Sequence, residues 1–156
     1  MSNLRMKTPL DIEASDDPSL IDIGWMRIPT SPYSAFFWEG CRKHELRLPK
    51  CSSCGNLWFY PTPRCTKCLE PAGHWIVSSG KGTLYSFTSV HHPLHAALAD
   101  LVPYVVGVIA LEEGVRMMTN VVGAEENALR LNMPVKVGFQ TLPTGAVIPH
   151  FTPVGH

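Results

Sequence analysis

Four of the chain's five cysteines stand in CSSCGNLWFYPTPRCTKC, as two Cys-x-x-Cys pairs, Cys51/Cys54 and Cys65/Cys68, with ten residues between them. In a Cys-x-x-Cys turn both sulfurs can point at one centre. Two such turns supply four thiolates, the full tetrahedral shell of a structural zinc. Gly55, directly after the second cysteine, suits the tight turn that a metal knuckle needs, because glycine reaches positive φ without steric cost. The intervening GNLWFYPTPR is expected to form a short hairpin stiffened by Pro61 and Pro63. Iron in a rubredoxin-type site uses the same four ligands, and the spacing does not separate the two metals.

Other uses of these cysteines fit less well. Two disulfides would call for an oxidising compartment, yet the opening MSNLRMKTPLDIEASDD is polar and acidic, with no apolar core of a secretory signal. The expectation is a reducing, cytoplasmic location. A thioredoxin-like redox pair needs one Cys-x-x-Cys at a strand–helix junction, not two in a hairpin. With all four ligand positions filled by protein, an ion here has no open position for a substrate, so its role is structural and not catalytic. Cys41 lies outside the pattern and reads as a small apolar residue of a helix. His91, His92 and His95 cluster in HHPLH, but only Asp100 is near them in sequence. They read as a polar loop at an interface.

The elements that must hold this site follow from the rest of the chain. Lys plus Arg and Asp plus Glu both total 13, and 45% of the 156 residues are hydrophobic, as in a folded protein of one modest domain with an appendage. No apolar run approaches the roughly 18 residues of a membrane span. Fourteen prolines and twelve glycines favour short strands and turns over long helices. Residues 1–32 read as an extended, acidic, proline-containing arm whose Ile21, Ile23, Trp25 and Ile28 are costly to leave in water. Residues 33–48, YSAFFWEGCRKHELRL, read as a helix with Ser34 as N-cap and Tyr33, Phe37, Cys41 and His44 on one side. Phe36 and Trp38 widen its aromatic arc, and Arg42, Lys43, Glu45 and Arg47 suit solvent near its C-terminus.

Residues 49–78 hold the ribbon, and from 79 the periodicity becomes that of strands. GTLYSFTSV alternates, with Thr83, Tyr85, Phe87 and Ser89 on one face; PYVVGVIALEEG is apolar from Tyr104 to Leu111 and turns at Glu113–Gly114. VRMMTNVVG, PVKVGFQTL and GAVIPHF complete five short strands, with a longer AEENALRLNM insert between the third and fourth. That is the pattern of a small OB-type barrel over residues 79–156. The expected fold is therefore mainly β: a helix, a rubredoxin-like zinc ribbon and a five-stranded OB-fold barrel. A barrel of this kind often binds single-stranded nucleic acid through a basic groove with stacking aromatics. From Lys81 onward, however, four bases (Lys81, Arg116, Arg130 and Lys136) face five acids (Asp100, Glu112, Glu113, Glu125 and Glu126). The charge argues against nucleic acid as the partner, and that function stands as an alternative only.

The order FFWEG helix, Cys-x-x-Cys-Gly, aromatic–proline hairpin, Pro-Arg-Cys-x-x-Cys, then GKGTLYSFT and barrel strands resembles the zinc-ribbon/OB-fold proteins associated with acyl-CoA enzymes, long catalogued as a domain of unknown function. The resemblance runs from about Ser31 to Pro153, and this chain retains all four ribbon cysteines. It implies a non-catalytic accessory subunit of a thiolase-type enzyme in a hetero-oligomer, one candidate being a thiolase for an aromatic β-ketoacyl-CoA such as the benzoylsuccinyl type. An enoyl-CoA hydratase is the alternative partner. It further implies that the ribbon and helix dock on the catalytic subunit and that the barrel helps shape a channel for CoA, bound only in the complex. The expected interface is Phe36, Phe37 and Trp38 on the helix's wide aromatic arc, with Leu57, Trp58, Phe59 and Tyr60 between the knuckles, which span too little sequence to bury all four. Contacts to CoA phosphates would fall to Arg64, Lys81 and Arg116.

Overall fold

The structure is a computed structural model and describes residues 20–22 and 27–155. Strands β1 (Leu20–Asp22) and β2 (Arg27–Pro29) pair antiparallel as a two-stranded sheet. The expectation that Ile21, Ile23, Trp25 and Ile28 lie against an apolar surface concerns side chains outside the described residues.

Helix α1 covers Ala35–Arg42, shorter than the 33–48 segment read as helical. The chain leaves it through His44 at φ 58, with Glu45 N–H donating to the Gly40 carbonyl at 2.9 Å, a left-handed turn that ends the helix. The return path runs so close that a Cβ on Gly40 would meet the Glu45 carbonyl at 2.7 Å. Ser34 holds the N-cap position, but its hydroxyl makes no capping bond and instead accepts from Ser31 N–H at 3.0 Å. Arg47–Lys50 then forms β3, which pairs antiparallel with β4 (His74–Val77). This two-stranded stem frames the ribbon, and the sequence reading had no strand at either place.

Arg47 was expected in solvent and is buried instead. Its guanidinium lies 4.2 Å from the centre of the Phe36 ring and 2.7 Å from Glu45 Oε2, so its charge is paired and partly covered by an aromatic face.

The barrel closes in the order β5–β6–β7–β9–β8, from β5 (Lys81–Val90), β6 (Tyr104–Leu111), β7 (Arg116–Val121), β8 (Pro134–Thr141) and β9 (Val147–Pro153). Its one parallel contact is between β7 and β9; the fold is an OB barrel. Along β5 the simple alternation fails. A bulge between Leu84 and Ser86 leaves Leu84 buried, Tyr85 and Ser86 both exposed, and Phe87 turned back toward the core. An extra residue in one strand shifts every later side chain to the opposite face.

One hydrophobic core joins the parts. Phe37, Trp38 and Cys41 from α1 and Leu46 and Leu48 from the stem belong to the same cluster as Leu84, Ile109, Met117, Val135 and Phe151 of the barrel. The link between stem and barrel is pinned as well: Ser79 N–H donates to Glu113 Oε1 at 2.6 Å, and Ser79 Oγ donates to Glu112 Oε2 at 3.0 Å. Among the described residues no helix is long and apolar enough to cross a membrane.

Candidate metal centre

The two knuckles are built alike. In the first, Cys51 N–H donates to the Asn56 carbonyl at 2.9 Å and Gly55 N–H to the Cys51 carbonyl at 3.0 Å; in the second, Cys65 N–H donates to the Glu70 carbonyl at 2.8 Å and Leu69 N–H to the Cys65 carbonyl at 3.1 Å. Single β-bridges close each loop, Lys50 to Leu57 and Arg64 to Pro71. Each knuckle is thus its own minimal hairpin, and the linking residues form no regular hairpin of the kind expected. The turn needs positive φ directly after the second cysteine. Gly55 provides it at φ 71, and Leu69 adopts it at φ 64, against the steric preference of a residue with a Cβ.

This geometry gathers the Sγ atoms of Cys51, Cys54, Cys65 and Cys68 within 4.8 Å of one another. Cys51 and Cys68 are 3.5 Å apart, Cys54 and Cys65 3.7 Å. A tetrahedron of sulfurs about 2.3 Å from a central zinc has edges of about 3.8 Å, so the set fits a zinc-sized ion. The separations far exceed a disulfide bond of about 2.05 Å, and all five cysteines are free. Among the described residues these four form the only group of three or more His, Cys, Asp or Glu side chains placed to share an ion.

The electrostatics suit a cation. Burial opposes a thiolate at Cys65, but backbone N–H groups of Cys68 and Lys67 and the neighbouring thiols bring its pKa down to about 6. For Cys68, backbone N–H donation from Glu70 favours the thiolate, but burial and the three other cysteines outweigh it and push its pKa up to about 12. Four crowded sulfurs cannot all ionise unaided, whereas a divalent cation at their centre lets them do so. Cys41, buried in the shared core, has its thiol pushed up to about 12 by burial; it is an inert packing residue.

The other residues singled out from the sequence are distributed as follows. Trp58 is buried against Cys51 and Cys65 as the ribbon's own core, and Phe37 and Trp38 are buried in the shared core. Leu57 and Phe59 are half-buried and pack on that same core. Tyr60 and Phe36, each 41% exposed, keep the largest open surface of the seven. Tyr60 also accepts a hydrogen bond from Trp38 Nε1 at 3.1 Å. Phe36 lies 5.3 Å from Trp75, and Trp75 with Tyr33, Pro32, Thr62, Pro63 and Pro71 lines a shallow cleft of about 290 Å³. Sequence reasoning missed Trp75, although an aromatic seven residues after the last ligand, in HWIV, was a strand signal.

Lys81 opens β5 beside Lys136 of β8, and the Arg116 guanidinium stands 3.9 Å from the centre of the Tyr85 ring. Arg64 belongs to the second knuckle and donates to the Leu69 carbonyl at 3.0 Å, apart from the other two. His91, His92 and His95 are exposed, and His91 Nε2 lies 3.8 Å from Glu126 Oε2.

A closed OB barrel fused through one core to a four-cysteine ribbon defines a zinc-ribbon/OB-fold protein. Two family models match it in series: the rubredoxin-like zinc ribbon domain of ChsH2 over residues 38–72 and the C-terminal OB-fold domain of ChsH2 over residues 75–140. A chain of a solved structure described as "Ltp2-ChsH2(DUF35) aldolase" is 30% identical with a TM-score of 0.73, and the match covers 83% of this chain and 100% of that one. The chain belongs to the ChsH2/DUF35 family. It is 36% identical over 118 residues to the 3-oxo-4,17-pregnadiene-20-carboxyl-CoA hydratase alpha subunit of Mycobacterium tuberculosis, covering 76% of this chain and 37% of that protein. It is 28% identical over 100 residues to a DUF35 domain-containing scaffold protein of Methanothermobacter thermautotrophicus, covering 64% of this chain and 74% of that one. The chain therefore spans little more than a third of the length of the hydratase subunit.

Proposed function

We propose that this chain is a non-catalytic scaffold subunit of an acyl-CoA enzyme, held in shape by a structural zinc and docked on a separate catalytic chain. The observation that carries the reading is the closed four-sulfur shell. Each position around a tetrahedral ion is taken by a cysteine, so an ion there organises the fold and offers no site to a substrate. Cys51, Cys54, Cys65 and Cys68 would hold it, and it would supply much of the ribbon's folding energy.

Two relatives bear on the partner. The aldolase named for Ltp2 and ChsH2 contains a chain that is matched along its whole length, which favours a catalytic chain that makes or breaks carbon–carbon bonds of an acyl-CoA. A thiolase-type enzyme falls in that class, with an aromatic β-ketoacyl-CoA such as benzoylsuccinyl-CoA as the narrower substrate reading. The hydratase alpha subunit, matched over 37% of its length, supports a hydratase partner as the second reading. Docking would use the helix–ribbon face, where Phe36 and Tyr60 stay exposed and Trp75 and Tyr33 line the cleft; aromatic anchors of this kind dominate many interfaces. Lys81 and Arg116 of the barrel and Arg64 of the ribbon would be the cations that meet CoA phosphates in the complex.

The experiment is co-purification from the native host with the tagged chain, followed by identification of the bound protein. The reading expects an acyl-CoA enzyme in fixed stoichiometry. It also expects Phe36→Ala with Tyr60→Ala to weaken that association at least tenfold while zinc content stays at one per chain. A chain that captures no acyl-CoA enzyme, or a double variant that binds like the wild type, contradicts the assignment or the docking face respectively.

A further inference from the structure

The ribbon poses a charge problem that the knuckle backbone solves only in part. Four thiolates around a divalent ion leave two surplus negative charges on the sulfurs. Cys54 is exposed and Cys68 half-exposed, so water can solvate them. Cys51 and Cys65 are buried, and a buried sulfur anion needs protein donors. From its own knuckle Cys65 receives backbone N–H groups, that of Lys67 at 3.3 Å and that of Cys68. It receives a side-chain donor from outside that knuckle: Asn56 Nδ2, 3.6 Å away.

Asn56 touches both halves of the site. Its carbonyl accepts from Cys51 N–H at 2.9 Å, and its side-chain amide donates to Cys65 Sγ and, at 3.2 Å, to Thr66 Oγ1. The amide can face the sulfur in one orientation only, because the reverse would set the Oδ1 lone pairs against a thiolate. We propose that Asn56 is a positioning residue of the metal centre: its side-chain amide neutralises part of the charge on the buried Cys65 sulfur and locks the first knuckle to the second. Aspartate has nearly the same shape and cannot donate, so Asn56→Asp removes the bond and adds a like charge beside the sulfurs. Loss of such an outer partner typically lowers metal affinity about 10- to 100-fold.

The test uses the full chain loaded with zinc, cobalt(II) or cadmium-113. Asn56→Asp and Asn56→Ala are expected to release zinc to a chromogenic chelator at least tenfold faster than wild type. In the cobalt form, the sulfur-to-metal charge-transfer band is expected at lower energy, because a sulfur without its donor holds its electrons less tightly. Thr66→Val, which removes only the outer partner of the amide, should change the release rate less than twofold and leave the band in place. A measurement on the unaltered protein decides the matter even where a variant fails to fold. In the cadmium-113 form the Asn56 side-chain amide protons should show scalar coupling to the metal through the Cys65 sulfur. An absent coupling, or an Asn56→Asp protein with wild-type release rate and cobalt spectrum, overturns the proposal.

Discussion

Phe37→Ala probes the claim that helix, ribbon and barrel stand on one core. Phe37 is 1% exposed, and its ring centre lies 5.0 Å from Trp38, 5.5 Å from Phe59 and 5.9 Å from Tyr60. Truncating a phenylalanine so enclosed costs about 3–5 kcal/mol, a large share of the about 5–15 kcal/mol that stabilises an ordinary domain. The neighbouring Phe36 is the control. It is 41% exposed, and its alanine variant loses partial burial and the face that covers Arg47, about 2 kcal/mol together. The assay is urea unfolding of zinc-loaded protein followed by two probes. All four tryptophans precede residue 76, so their fluorescence reports the N-terminal half, whereas far-ultraviolet circular dichroism is dominated by the barrel. The wild type should show coincident transitions. Phe37→Ala should lower stability by several kcal/mol and bring the tryptophan transition ahead of the barrel's. Equal costs for the two variants, or separated transitions in the wild type, would refute the shared core.

Other consequences can be checked on the isolated chain. Leu69 sits at φ 64 with 67% of its surface exposed, so Leu69→Gly should relieve strain and raise the unfolding free energy by about 1 kcal/mol, read from the urea midpoint; a loss of stability contradicts this. Protons compete with the metal for the sulfurs, so affinity must fall on acidification. Above about pH 6 the Cys65 thiolate is already formed, while Cys68, held at about 12 by burial and the neighbouring thiols, surrenders its proton on binding. Apparent zinc affinity should therefore rise at least about tenfold per pH unit there, measured by chelator competition; a flat profile contradicts it. Cys41 should stay unlabelled by iodoacetamide in zinc-loaded protein and react only in denaturant, because burial keeps its thiol protonated; labelling of the folded, zinc-loaded protein contradicts this.

The metal site was legible because ligand spacing is local: Cys-x-x-Cys with Gly55 specifies a knuckle almost by itself. The strands β6 and β8 were legible for a similar reason, each apolar on its inward positions and closed by turn residues. What the sequence hid depends on contacts between distant segments. Arg47–Lys50 reads as the tail of a helix until His74–Val77 supplies its strand partner. The bulge in β5 leaves no mark in an alternating GTLYSFTSV. Arg47 looks solvent-bound by type and is buried by Phe36 and Glu45. Trp58 looked surplus to a small ribbon, yet its burial beside Cys51 and Cys65 makes it core. Trp58→Ala would therefore disturb the site itself, and Phe36 and Tyr60 are the cleaner probes of docking.

Turnover measured on the separated parts tests the central claim most directly. This chain, its co-purified catalytic partner and the reconstituted mixture would each be given a β-ketoacyl-CoA with free CoA, and, in parallel, an enoyl-CoA. The account predicts no turnover by this chain in either assay, and faster turnover by the mixture than by the partner alone in the assay that matches the partner's chemistry. Turnover by this chain alone, or a partner whose rate and affinity for CoA are the same with and without it, would contradict the account.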